Sequence, residues 1–252
     1  MEFLRRCVLV VAALMIGCML LAACEEQEEL TPLEALLKAA TLERDDFPSG
    51  FTLDEESFST TEERAESDPI DPQETLNELN EWGHLLAYHA VYSKEWLPEF
   101  LIGSITGFYV FAEVYQDASG ARAAMAGQRE RLEDPEVGAT LWARSGLAEL
   151  GFGEPLLSPM SFANIGDETY AFQFTTPPSL FSLNEFEWLG VLIREDRLIG
   201  GIQRIFVGSR LGELLTTPTN GGSPVEQLEE LTRKLHERMK AALKEPPQPS
   251  EG

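Results

Sequence analysis

The sequence predicts an α+β fold, a curved antiparallel sheet with helices packed on one face. Three observations carry that expectation. Strand-like runs follow one another without helices between them, across 85–115 and again across 168–207. Each run is followed by a helical pattern, over 118–132 and 225–243. The composition is that of an ordinary globular chain, 43% hydrophobic and 25% charged.

The elements read in order as follows. Thr31-Pro32-Leu33-Glu34 opens a helix with a capping box and proline at its first position. Its apolar stripe is Leu33, Leu36, Leu37 and Ala40, and it is expected to stop near Arg44, before the turn cluster Asp45–Gly50. Phe51–Phe58 reads as a short strand. Ser59–Glu81, rich in Asp, Glu, Ser, Thr and Pro, reads as a long solvated loop with a helical turn at Pro72–Leu79. Leu85–Trp96 alternates as a strand, and Thr106–Tyr115 is a second, aromatic one.

Asp117 caps a helix over Ala118–Leu132, which Gly120 and Gly127 each weaken by roughly 1 kcal/mol. Asp134-Pro135 ends it, and Glu136–Leu150 reads as another helix. Gly151, Gly153, Pro155 and Pro159 mark loops. Met160–Asn164 is expected to start a strand that resumes at Glu168–Phe174. Phe186–Ile193 and Leu198–Val207 form a hairpin around the polar turn 194–197. Ser223-Pro224-Val225-Glu226 is the clearest capping box, and its helix sets Leu228, Leu231, Leu235, Met239 and Leu243 on one face. The two strand-strand-helix groups, 85–132 and 168–243, suggest a β-β-α duplication without residue-level identity.

The first residues have a different logic. Arg5 and Arg6 precede an uncharged run, Cys7–Ala23, which ends in the small residues Ala22 and Ala23 before Cys24 and the acidic 25–29. This is the layout of a secretory signal. The string Leu21-Ala22-Ala23-Cys24 resembles the lipobox of bacterial lipoproteins. That resemblance implies cleavage before Cys24, a diacylglycerol on its sulfur, and fatty acyl chains such as palmitate holding the protein to the cell membrane. Two or three chains exceed the one-chain limit for stable anchoring. Met15-Ile16-Gly17-Cys18 is a second candidate, but it would leave apolar 19–23 exposed. The expected organisation is a signal peptide over 1–23, a lipidated tether over 24–30, one α+β domain over 31–245 and a tail over 246–252. The tether extends to about 20 Å, at ~3.4 Å per residue.

Charge and cysteines narrow the roles. Without residues 1–23 the chain loses Arg5, Arg6 and Glu2 and keeps 17 basic and 42 acidic side chains, a net −25. Such a field repels phosphate backbones and anionic headgroups, so nucleic acid is not an expected partner. Cys7, Cys18 and Cys24 are all the cysteines, which leaves the domain no disulfide, thiol nucleophile or cysteine metal ligand. No cofactor is expected, since Gly151-Phe152-Gly153 and Asn220-Gly221-Gly222 lack the glycine spacing and basic partner of a phosphate loop.

For catalysis, Gly103-Ser104-Ile105-Thr106-Gly107 is not a nucleophile elbow, and only His84 or His89 could serve as base. Their spacing of five sends them to opposite faces of a strand, which disfavours a shared metal ion. His236 reads as a solvated residue near Lys234 and Arg238. Asp68, Asp71, Glu74 and Glu78 crowd one stretch, and calcium takes carboxylate oxygens, but the Asp-x-Asp-x-Asp-Gly loop is absent. No metal, catalytic or cofactor residue is therefore assigned.

The aromatic set is the remaining signal: Trp82, Trp96, Trp142, Trp188, Phe100, Phe108, Tyr109, Phe111, Tyr115, Phe172, Phe174, Phe181 and Phe186, with the apolar loop Pro177–Phe181. A concave sheet lined by such rings would take an apolar or amphipathic molecule. The expected function is a membrane-tethered extracytoplasmic binding or interaction module, non-enzymatic, for an apolar small molecule or an envelope protein. The alternatives are an accessory subunit of an envelope complex and a hydrolase without a recognisable motif. The mature chain also resembles small extracytoplasmic bacterial lipoproteins in its opening helix with Phe47–Phe51, in Phe108–Ala126, and in Ile165-Gly166-Asp167-Glu168. Some of those have a PsbP-like α/β/α sandwich, and that likeness carries no catalytic residue across.

Overall fold

A computed structural model describes residues 30–68, 70–96, 104–144, 156–176, 185–208 and 223–245. The expected signal peptide, Cys24, the loops over 151–155, 177–181 and 216–222, and the tail over 246–252 lie outside the described residues.

Seven strands form one antiparallel sheet: β1 (Thr52–Ser59), β2 (His84–Trp96), β3 (Ser104–Tyr115), β4 (Leu156–Pro159), β5 (Glu168–Thr175), β6 (Glu185–Glu195) and β7 (Leu198–Gly208). Their order is β1-β2-β3-β7-β6-β5-β4. The hairpins β2-β3 and β6-β7 meet at the centre, where Val110 pairs with Ile202. The turn between β6 and β7 is two residues long, and Asp196 takes a positive φ of 52° there. Both edges are blunted. β1 exposes Asp54, Glu55 and Glu56, and β4 has four residues ending in Pro159.

Six helices complete the described fold: α1 (Pro32–Ala40), α2 (Thr61–Glu66), α3 (Pro72–Glu81), α4 (Ala118–Glu133), α5 (Pro135–Arg144) and α6 (Pro224–Lys244). The α+β class and the antiparallel sheet are as expected. The single helical layer is not, because helices cover both faces of the sheet. α1 and α6 pack together on β2, β3, β6 and β7. Leu228, Leu231, Leu235 and Met239 of α6 meet Val110, Ala112, Val191, Ile193 and Ile202 there. On the opposite face α4 sets Ala121, Ala124 and Met125 against Phe111, Tyr115, Leu192 and Ile199. α2 and α3 cover β2 on that side. The physical reason lies in the central strands, which bury residues of both parities and so need cover twice. The helices that follow β3 and β7 pack on opposite faces, so the two strand-strand-helix groups are not superimposable units.

Several boundaries differ from expectation. α1 stops at Ala40, and a 3-10 turn over Arg44–Asp46 follows. The expected loop over 59–81 contains α2, capped by Thr60 and Glu63, and α3, capped by Asp71. Thr61, Ala65, Thr75 and Leu79 are buried, so tertiary packing holds what acidic composition disguised. Pro135 opens α5 rather than only closing α4. Residues 160–165 are irregular, and the strand beside β5 is β4 instead. Among the described residues no helix is long and apolar enough to cross a membrane.

The glycines of α4 have a packing role. A Cβ on Gly120 would lie 1.9 Å from the Trp82 carbonyl oxygen, and one on Gly127 would lie 2.6 Å from the Trp82 ring. Seven residues apart, they form one groove along the helix that receives the end of α3. Helix propensity alone says that Gly→Ala stabilises by about 1 kcal/mol. Overpacking predicts the reverse. Gly120→Ala should lower stability by about 2–3 kcal/mol, and Gly127→Ala by about 1–2 kcal/mol. Urea midpoints of the two variants check this, and a rise in either would refute the packing account.

Candidate functional site

The face under α2, α3 and α4 is floored by rings that lie over glycines. A Cβ on Gly190 would be 2.2 Å from the Phe172 ring, and one on Gly201 would be 2.3 Å from the Phe111 ring. Phe172 in turn meets Trp188 edge-on, with centroids 5.6 Å apart at 78°. Between this floor and the helices lies a cavity of about 230 Å³. Its apolar wall is Tyr109, Phe111, Phe172 and Trp188, with Leu132, Val137 and Leu192. Its polar groups include Arg64, Glu113, Gln128, Arg131 and Gln203.

Glu113 anchors the polar end. It is 1% exposed, near the end of β3, where it pairs with Ile199 at the start of β7. Arg64 Nε donates to Oε1 at 3.1 Å, while the Tyr115 hydroxyl and Gln128 Nε2 donate to Oε2 at 2.7 and 3.1 Å. These bonds tie α2 and α4 to β3. Burial alone would push the carboxyl up. The charges of Arg64 and His84 and the bonds from Tyr115 and Arg64 outweigh it, so the carboxyl sits below its usual range. Burial and then the Glu113 charge hold the Tyr115 phenol well above its ordinary value.

Arg131 organises the outer rim. It bonds Asp68 at 2.9 Å and Glu78 at 2.7 Å, tying α4 to α3 and the turn before it. Asp68 also accepts from the backbone of Ile70 and Asp71 and from the Thr75 hydroxyl. Burial would raise the Asp68 carboxyl, but those N–H and O–H donors and Arg131 bring it below the usual range. Asp71 caps α3. The carboxylates weighed as calcium ligands thus serve largely as caps and ion-pair partners. Among the described residues no group of three or more His, Cys, Asp or Glu is placed to hold a metal ion.

The histidines do not stand where the sequence puts them. A β-bulge between His84 and Leu86 brings His84 onto the same sheet face as His89, not the opposite one. His84 packs edge-on to Tyr115 and His89 stacks on Tyr109; their register partners Tyr115 and Phe111 lie four positions apart, which puts the two histidines about 14 Å apart along the strand at ~3.4 Å per residue. His84 Nδ1 lies 3.0 Å from the Thr61 hydroxyl, and its buried Nε2 has no partner among the described residues. Burial lowers its pKa, with Arg64 adding to the shift and Glu113 opposing it. His89 does meet a serine and an acid on β1. Ser57 Oγ is 3.2 Å from Nε2 and 3.4 Å from Nδ1, and Glu55 is 3.7 Å from the same Nε2. A proton relay places serine and acid on different nitrogens, whereas Ser57 here lies closer to Nε2, the nitrogen that faces Glu55, than to Nδ1. His236 is not free in solvent. It is half-buried and 2.8 Å from Glu195, joining α6 to the end of β6.

Of the aromatic residues singled out in the sequence, Tyr109, Phe111, Phe172 and Trp188 line the cavity. Phe108 belongs to the opposite core, Tyr115 and Trp82 pack with α4, and Phe174 and Phe186 pair beside Trp188. Phe100 and Phe181, and the side chains of Trp96 and Trp142, lie outside the described residues. Sequence reasoning missed the polar groups Arg64, Glu113, Gln128, Arg131 and Gln203. A carboxylate inside the apolar run Phe108–Tyr115 is the signal that could have found Glu113.

The buried pair sets a pH dependence. Glu113 is depressed below 4.5 and His84 below 6.5 in the folded chain. In both cases the unfolded chain binds the proton first, so stability is lost as pH falls. It should decline from about pH 6.5 through His84 and again below about pH 4.5 through Glu113. His84→Gln should remove the first decline and keep the second. Glu113→Gln should cost about 2 kcal/mol at pH 7, less than a fully buried pair because the Arg64 side chain is 38% exposed. Urea midpoints between pH 4 and 8 report both, and a wild-type profile flat across that range would sink the assignment.

Comparison with known proteins adds one likeness. No family model matches the chain, and no curated protein matches it. Among solved structures, the extracellular domain of PknH from Mycobacterium tuberculosis is similar over 85% of this chain and 98% of that one, at 8% identity and a TM-score of 0.44.

Proposed function

We propose that the chain is a lipid-anchored extracytoplasmic binding module, not an enzyme, that takes an apolar or amphipathic small molecule into the cavity between β3, β5–β7 and α4. The carrying observation is the cavity of about 230 Å³, walled by four aromatic rings and closed at one end by the Glu113 cluster. Binding pockets combine apolar walls with a few fixed polar groups in this way. The leader, the lipobox-like Leu21–Cys24 and the cysteine-free remainder support the address. Its net charge disfavours direct docking on anionic headgroups, so a covalent anchor on Cys24 is the means of attachment.

One observation favours the second reading, an accessory subunit. A groove of about 430 Å³ between α3 and α4–α5 carries Asp71, Glu74, Glu78, Glu130, Asp134 and Glu136 and would suit a basic partner.

Native mass spectrometry of the protein from its own host separates these. The expected result is a chain lacking 1–23, acylated at Cys24, carrying a small apolar mass that Val137→Trp expels. Cys24→Ser should abolish incorporation of labelled palmitate. A protein partner in place of the small mass would favour the accessory subunit. An intact leader, or an unmodified Cys24, would overturn the anchor.

A further inference from the structure

The polar groups of the cavity divide into those already matched and those still open. Glu113 is matched by Arg64, Tyr115 and Gln128, and Arg131 by Asp68 and Glu78. No lone charge therefore waits for a counter-ion. The Gln203 amide has no hydrogen-bond partner among the described residues, although it stands on the cavity floor between Gly190 and Tyr109. Arg64 lines the same space, and Nε is its one nitrogen in a hydrogen bond among the described residues. Its terminal N–H groups remain available as donors.

From this we infer that the cavity takes an uncharged molecule of one or two fused rings bearing an acceptor oxygen, which Gln203 and Arg64 bind by hydrogen bonds while the rings lie on Phe111 and Phe172. The inference rests on the binding reading above and names its ligand class. Size sets the ring count. An apolar cavity of about 150 Å³ holds one benzene, and this one measures about 230 Å³. Electrostatics set the charge. An anion would enter against the field of a strongly acidic chain, and either ion would leave water without an uncommitted counter-charge. The aromatic wall suits flat rings, which stack or meet edge-on with such neighbours. The open amide sets the oxygen, since an apolar ligand would leave Gln203 desolvated and unpaired.

The test is isothermal titration of the full chain in lipid nanodiscs, with empty discs as the blank. The probes are naphthalene, 2-acetylnaphthalene, 2-naphthoate and a naphthylmethyl trimethylammonium salt. 2-Acetylnaphthalene should bind about tenfold more tightly than naphthalene, the worth of one good hydrogen bond. Both charged probes should bind more weakly than 2-acetylnaphthalene. Gln203→Leu should erase most of the advantage of the carbonyl and keep naphthalene binding, which also shows that the variant is folded. Equal binding of the two neutral probes, or tighter binding of either ion, overturns the ligand class and leaves the cavity reading standing. Failure of every probe to bind, with Val137→Trp indistinguishable from wild type, overturns the cavity reading itself.

Discussion

A carboxylate on the buried face of a sheet has to be neutralised by groups that come from elsewhere in the chain, and Glu113 recruits them from three elements. Arg64 comes from α2, Gln128 from α4, and Tyr115 from two residues along its own strand. Breaking such a cluster by removing one member leaves the others desolvated. The position of α2 relative to α4 is thus set by a charge rather than by shape. α2 has six residues, too few to be stable alone, and its buried contacts, Thr61 and Ala65, are small. The ion pair is what makes so short a helix a fixed wall.

The opposite face is built on another principle. There α6 runs 21 residues, about 30 Å, and lays one apolar stripe across β6 and β7. α1 fills the remaining width beside it, and Tyr92 closes the join by donating to the Leu42 carbonyl at 3.1 Å. Burial pushes that phenol up to about 12, with the carboxylates of Glu56, Glu43 and Asp46 adding to it. This layer is packed by long side chains in register and specifies a rigid support.

These two constructions account for what the sequence disclosed. The long strands were legible because aromatic and branched residues alternate over ten or more positions, and α6 because a capping box precedes a regular apolar stripe. Two-sided cover was also written there, in strands such as Leu198–Gly208 where Ile199 and Ile202 are both buried despite opposite parity. α2 stayed hidden and α3 showed only as a helical turn over Pro72–Leu79, because their charged residues hold caps and ion pairs rather than mark loop, and the box Thr60-x-x-Glu63 sits inside an acidic run. The cavity was half legible. Its rings could be named, but the four that line it are selected by strand register, and a single bulge at His84 moves a side chain from one face to the other.

The unequal cover explains where a cavity can exist at all. One long helix lays a continuous apolar stripe on the sheet beneath it, whereas α2, α3 and α4 have 6, 10 and 16 residues and are joined to the sheet and to one another by the ion pairs of Arg64 and Arg131. Gly120 and Gly127 draw α4 tight against Trp82 at one end of this layer. Gly190 and Gly201 flatten the rings below, so the floor stays low where no helix descends to fill it. Drawing the helix in at one end while lowering the floor at the other leaves a volume bounded by rings, without any residue being missing from a packed core. The recess and the rigid face behind it are therefore consequences of the same constraint, a sheet that must be covered twice by helices of unequal length.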